Sequence, residues 1–398
     1  MVPSGGARLA LCGCLTATAI APLRSDEPVR KSSAIGAAGP VANAPPQASS
    51  PSKNLSSALS FLAEAAVKDG ETAGISFTVR KGRTVLAEGA FGFADLENRV
   101  PAGVETVYAI GSLTKPFTAA AVLLLADEGK LSLDDPLGKF VPAFPEPGRS
   151  ATVRMLLNHT SGIRSMTSLG PRYWAQAGRE LEPSELVALF ANEPADFPAG
   201  TDYRYSNSGY VLLGLVVEKA SGKPWGAFLK ERFFGPLGLT RTRDGESAEL
   251  VLGRARGYSR RKAGGFENAW GVNLTQGYAA GALLSTVGDL AAWTRRLHTA
   301  PPVSPSAYRS MTSPSTLPNG KALSYGYGLG VDSFGGHRRF FHGGGLPGFD
   351  GWVAFFPGDD LTVVALCNTD GDVGMKVADA MASLALGVPG TKTRVSGR

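Results

Sequence analysis

The amino-acid sequence predicts an α+β fold, in which one antiparallel β-sheet is assembled from both chain ends, flanked by helices, with a mostly helical region inserted between them. Three observations carry this reading. Strand-like runs with a tight turn occupy residues 74–87. Further strand-like runs separated by turn signals occupy residues 338–367. Between them, long apolar stretches such as Phe117-Thr118-Ala119-Ala120-Ala121-Val122-Leu123-Leu124-Leu125 have the length and composition of buried helices.

Taken in order, residues 55–67 read as a helix capped by Asn54 or Ser56. Gly74-Ile75-Ser76-Phe77-Thr78-Val79-Arg80 and Thr84-Val85-Leu86-Ala87, joined at Lys81-Gly82-Arg83, form a hairpin. Residues 112–297 read as helices with long loops. The strands resume at residues 338–341, 351–356 and 361–367, the last two divided by the turn Pro357-Gly358-Asp359-Asp360. Residues 373–386 close the fold as a helix.

Before this folded domain, which spans residues 54–390, the chain has a different character. Arg8 followed by a short apolar run and Ala19-Ile20-Ala21 has the form of an export signal over residues 1–21, too short to cross a bilayer as a helix. Leu11-Cys12-Gly13-Cys14 has the look of a lipoprotein box behind a very short apolar run. The expected location is therefore exported, periplasmic or secreted. Residues 22–53 are rich in Pro, Ala and Ser and read as a flexible linker. Residues 391–398 form a C-terminal tail.

The 398 residues contain 43% hydrophobic and 19% charged residues, an ordinary globular balance. The formal charge of +6 comes from scattered basic residues with no basic stripe interleaved with aromatics, which argues against nucleic-acid binding. Two of the three cysteines lie in the leader, so a cleaved product keeps only Cys367, a small core residue in a strand. That leaves no intramolecular disulfide and no cysteine-based metal site.

The chemistry-bearing feature is Ser112-Leu113-Thr114-Lys115, which follows the strand-like Val107-Tyr108-Ala109-Ile110 and opens a helix. Positions i and i+3 share a helix face, so an amine stands beside a hydroxyl. A serine becomes a useful nucleophile when a neighbouring base can take its proton. The same spacing recurs at Ser50/Lys53 and Ser259/Lys262, but the first lies in the linker and the second in a basic run read as a solvated loop. Pro116 requires the helix to start close to Ser112, which puts that hydroxyl at a helix N-terminus.

Two more segments supply candidate partners. Tyr205-Ser206-Asn207 precedes the apolar helix around residues 211–217. A tyrosine whose pKa is lowered by a nearby ammonium can accept the serine proton, and the asparagine can bond Lys115 or a substrate amide. His342-Gly343-Gly344-Gly345 lets a substrate approach the backbone, whose amides can serve an oxyanion. The string is also similar to a lipase oxyanion loop, but the Gly-x-Ser-x-Gly that such a fold requires is missing.

These three elements, in this order, resemble the serine β-lactamase-related family of class C β-lactamases, D-Ala-D-Ala carboxypeptidases, D-aminopeptidases and certain esterases. Supporting stretches are Leu131-Ser132-Leu133-Asp134-Asp135-Pro136, Leu156-Leu157-Asn158-His159-Thr160-Ser161-Gly162 and Tyr325-Gly326-Tyr327-Gly328. The resemblance implies a β-lactamase/transpeptidase-like fold and a hydrolase that cleaves an amide or ester bond through an acyl-enzyme. It implies Ser112 as nucleophile, Lys115 and Tyr205 as proton handlers, Asn207, His342 and Gly344 as substrate-binding residues, and the amides of Ser112 and Gly345 as the oxyanion hole. No metal or other cofactor is implied. His342 stands where many relatives carry the lysine of Lys-Thr-Gly; a histidine, only partly charged near neutrality, weakens recognition of a substrate carboxylate. His159 is expected to shape a loop, and His298 and His337 to lie at the surface. The alternative expectation is a non-catalytic module that holds peptidoglycan or another ligand in the same cleft.

Overall fold

The computed structural model describes residues 51–245 and 250–389. The export signal, the lipoprotein box, nearly all of the linker and the C-terminal tail lie outside the described residues. The first helix, Pro51–Lys68, begins inside the stretch read as linker, so Asn54 and Ser56 lie within it and do not cap it. Proline is well suited to a first helical position, which accounts for the earlier start.

Among the described residues, twelve strands follow in chain order: β1 (Gly74–Lys81), β2 (Thr84–Asp95), β3 (Val100–Pro101), β4 (Tyr108–Ala109), β5 (Arg243–Asp244), β6 (Tyr258–Arg260), β7 (Phe266–Asn268), β8 (Leu283–Ser285), β9 (Gly330–Phe334), β10 (His337–Leu346), β11 (Phe349–Phe356) and β12 (Leu361–Cys367). The large sheet has the order β3-β2-β1-β12-β11-β10-β9. Both chain ends thus meet at its centre, where β1 pairs antiparallel with β12 in the register Ile75↔Cys367 to Lys81↔Leu361. Every residue of β12 is buried, Cys367 included, because helices cover both faces of the sheet. The first helix and the last, Val373–Leu386, pack with Phe77, Phe356 and Val363 on one face.

The opposite face carries the helical region. Its axis is the helix Lys115–Asp127, of which ten residues are buried, so it is apolar all round as a central helix must be. Phe117 stacks on Trp293 of the helix Val287–Thr299 at a centroid distance of 4.1 Å and meets Phe234 edge-on at 5.8 Å. The helix Asn207–Ser221 lies beside it, capped by Ser206 accepting from the Gly209 N–H and closed by Gly222 in the left-handed conformation.

Within this region the reading of helices and loops missed β5 to β8, which belong to two small sheets. A three-stranded sheet, β4-β8-β5, pins the approach to Ser112, and the Ile110 N–H donates to the Leu283 carbonyl at 3.0 Å. Ser259 lies in the β6-β7 hairpin with Lys262 in its turn, so the second copy of the serine–lysine spacing is a surface hairpin. His298 also departs from expectation. It stacks on Phe355 at 4.7 Å and its Nδ1 lies 3.0 Å from the Tyr308 hydroxyl, so it is a packed residue. His337 remains half-exposed, paired with Asp359.

Truncating the central ring removes both aromatic partners' contacts and leaves a cavity. Phe117→Ala should lower the unfolding free energy by about 3–5 kcal/mol, read as a lower urea midpoint with an unchanged denaturant slope.

Candidate active site

Gly111 to Thr114 form a single 3-10 turn that runs directly into the helix starting at Lys115. The turn exists because Gly111 takes φ of 51°, a conformation that disfavours a Cβ. A Cβ there would also lie 2.9 Å from the Gly345 nitrogen. The backbone at Ser112 and the amide of Gly345 on β10 are therefore neighbours. Gly344 makes an even closer approach, since a Cβ on it would lie 2.0 Å from the Ile110 carbonyl oxygen. This glycine lets β10 dock against the turn. Gly345, by contrast, is exposed and faces open space.

Lys115 is fully buried. Its Nζ lies 2.9 Å from Ser112 Oγ, 2.8 Å from Asn207 Oδ1 and 2.8 Å from the Ala280 carbonyl oxygen. The Asn207 amide is oriented by its other end, where Nδ2 donates to Thr167 Oγ1 at 3.1 Å. Burial drives the Lys115 pKa well below the ordinary lysine value, and no carboxylate offsets that shift.

Tyr205 comes from the segment that enters the Asn207–Ser221 helix. Its ring lies 4.8 Å from Lys115 Nζ, and its phenol is near enough to the Ser112 hydroxyl to be influenced by it. The fold thus brings Ser112, Lys115, Tyr205 and Asn207 together from two distant segments. The expected lowering of the Tyr205 pKa does not occur. Burial pushes it up, the nearby Ser112 hydroxyl opposes that only in part, and Tyr203 adds to the rise. In the free protein this residue is a neutral phenol.

His342 is buried, and burial first and Lys115 second lower its pKa to about 3. The partial charge expected from its composition is therefore corrected to a neutral ring. Its Nδ1 lies 2.6 Å from the Gly343 carbonyl oxygen and so carries the proton; its Nε2 then accepts from the Tyr325 hydroxyl at 3.0 Å. Tyr325 also reaches the ring of His159 at 4.8 Å, within a buried aromatic group containing Tyr205 and Tyr210. Thr167, the Ala280 carbonyl and the Tyr325 hydroxyl were not singled out as site groups. Tyr325 was visible only within a supporting stretch, and the other two carry no sequence signal.

Away from these bonds, Trp174 and Trp270 meet with centroids 6.1 Å apart. Their loops are joined where the Asn273 N–H donates to the Ala177 carbonyl and Gln276 Nε2 donates to the Arg179 carbonyl, each at 2.7 Å. Among the described residues, no group of three or more His, Cys, Asp or Glu side chains is arranged to hold a metal, and no helix is long and apolar enough to cross a membrane.

The family model described as Beta-lactamase matches residues 60–387. The chain belongs to the Beta-lactamase family. It is 31% identical to a D-aminopeptidase of Brucella anthropi over 79% of this chain and 59% of that protein. It is 29% identical to Penicillin-binding protein 4* of Bacillus subtilis over 73% of this chain and 67% of that protein. Among solved structures, it is similar to a D-stereospecific amidohydrolase from Streptomyces sp., with a TM-score of 0.69 and 31% identity over 79% of this chain and 94% of that one. It is also similar to an octameric penicillin-binding protein homologue from Pyrococcus abyssi, with a TM-score of 0.73 and 30% identity over 85% of this chain and 78% of that one. These Beta-lactamase family relatives support a serine hydrolase. The chain spans about three fifths of the length of its D-aminopeptidase relatives.

The buried neutral imidazoles make stability depend on pH. Burial lowers the pKa of both His159 and His342 in the folded state, so unfolding takes up protons below the ordinary histidine value. Stability is fully present above pH about 6.5 and declines as pH falls, by up to about 1.4 kcal/mol per pH unit for each ring. Urea unfolding at a series of pH values between neutrality and mild acid should show this slope, and His342→Gln should flatten it.

Proposed function

We propose that this protein is an exported serine amidohydrolase that cleaves D-amino-acid amides or peptides through an acyl-enzyme on Ser112. The observation that carries the mechanism is the bonding of Lys115. A neutral amine has two N–H groups and one lone pair. Two of its three neighbours, Asn207 Oδ1 and the Ala280 carbonyl, can only accept, so they take both N–H groups. The lone pair is then left for the third neighbour, the Ser112 hydroxyl.

Catalysis follows from that arrangement. Ser112 Oγ attacks the substrate carbonyl carbon as its proton passes to Lys115 Nζ. The oxyanion that forms is met by the backbone N–H groups of Ser112 and Gly345, preorganised where the charge develops. The Tyr205 phenol gives its proton to the departing nitrogen as the C–N bond breaks. The resulting Lys115 ammonium and Tyr205 phenolate neutralise each other by proton exchange. Water then attacks the acyl carbon as one of its protons goes to Lys115 Nζ, and the C–Oγ bond breaks as that proton passes on to Oγ, which releases the acid and restores the serine hydroxyl and the neutral amine. Asn207 holds Lys115 in register throughout.

The substrate class rests on two supports. The relatives bear names of D-aminopeptidases and a D-stereospecific amidohydrolase. The neutral His342 supplies no cation for a substrate carboxylate, which disfavours a carboxypeptidase and favours substrates with a blocked or absent terminal carboxylate. Export is read from the leader sequence alone.

Incubation with a fluorophosphonate or a fluorescent penicillin should label the wild-type protein and leave Ser112→Ala unlabelled; equal labelling of both would refute the acyl-enzyme. D-Alanine and D-phenylalanine p-nitroanilides should be turned over in preference to their L forms and to D-alanyl-D-alanine peptides. Lys115→Ala and Tyr205→Phe should each slow acylation by about 10²–10⁴-fold, with the circular dichroism spectrum retained.

A further inference from the structure

Tyr205 is bracketed by a single residue. The Arg204 N–H donates to the His159 carbonyl at 3.1 Å, and the Ser206 N–H donates to His159 Nδ1 at 3.1 Å. The His159 ring also lies against the Tyr205 ring, with centroids 4.4 Å apart. The backbone on both sides of the phenol, and the phenol's own face, are thus fixed by one side chain and its carbonyl. His159 is buried to 1% exposure and takes φ of 62°, a conformation rare for a residue with a Cβ and reached here to turn the ring inward.

The tautomer follows from the bonding. Because Nδ1 accepts a backbone N–H, the proton must sit on Nε2, and Nε2 is a buried atom with no hydrogen-bond partner. A ring kept only for packing would be replaced by phenylalanine without leaving a buried polar atom unpaired. The acceptor at Nδ1 is what the histidine supplies and phenylalanine cannot.

The neighbouring bonds extend the same template. Ser206 Oγ donates to the Ile163 carbonyl at 2.9 Å, and the Asn207 N–H donates to Ser165 Oγ at 3.1 Å. Residues 159–165 therefore form a rail on which residues 204–207 are laid, and His159 is its only contact on both sides of Tyr205 among these bonds.

We infer that His159 is a positioning residue that acts through Tyr205, setting the phenol against Ser112 by accepting the Ser206 N–H. This rests on the reading of Tyr205 as a proton handler, and it extends that reading to a residue that does not itself touch the reacting atoms. Two replacements separate its parts. His159→Asn keeps an acceptor near the Nδ1 position and tolerates the left-handed backbone, but loses the ring. His159→Phe keeps the ring and loses the acceptor.

The experiment measures amide hydrogen exchange of residues 203–208 and the acylation rate for wild type and both variants, with circular dichroism as the folding control. Exchange of the segment should rise at least tenfold in His159→Phe and stay near wild type in His159→Asn. Acylation should follow the same order, with kcat reduced and KM little changed. Unchanged exchange in His159→Phe, or an asparagine variant no better than the phenylalanine one in exchange and rate, would overturn the inference. If the wild-type protein acylates nothing, the proposed function fails, while the exchange measurement still decides whether His159 holds the segment.

Discussion

The site depends on removing one amine from water. Among the described residues Lys115 has no carboxylate partner, so burial favours its neutral form, and the two carbonyl oxygens around it dictate which way its lone pair points. Neither effect is local to the serine–lysine spacing. Asn207 is 92 residues away and Ala280 is 165 residues away. The large sheet, the small β4-β8-β5 sheet and the packing of Phe117 against Trp293 bring these segments to one point and keep them there.

Much of this was legible in the sequence, for physical reasons that differ by element. The central strands announce themselves, β12 as the nearly continuous apolar run of a strand covered on both faces, and β1 by the alternation of Ile75, Phe77 and Val79 with polar residues. The helix from Lys115 is equally plain. The strands β5 and β8 are two or three residues long, too short to display any period, and they were invisible, whereas β4 lies inside the strand-like run at residues 107–110. Strand β10 extends through the glycines to Leu346 although glycine is a poor strand former; pairing with β11, from Phe340↔Phe355 to Leu346↔Phe349, overrides the local preference.

The site was legible as a set of residues but not as a set of protonation states. Spacing and order picked out Ser112, Lys115, Tyr205 and Asn207, which the fold does bring together. Their charges come from burial, a tertiary property. Hence the Tyr205 phenol moved opposite to expectation, and His342 proved neutral instead of partly charged. The two corrections have one cause, burial, and each bears on the proposed chemistry: there the amine takes the role of base from the phenol, and the neutral ring offers no cation to a carboxylate. His298, read as a surface residue, was misjudged for a related reason, since a lone polar residue on a helix gives no hint of the aromatic faces that stack on it.

The most direct test of this account is the protonation state of Lys115 in the folded protein, read from the side-chain nitrogen signal of isotopically labelled lysine across a pH titration, with Lys115→Arg used to assign it. The account predicts a neutral amine at neutral pH, with protonation appearing only well below the ordinary lysine range. An ammonium signal that persists through neutrality to the ordinary lysine range would contradict it.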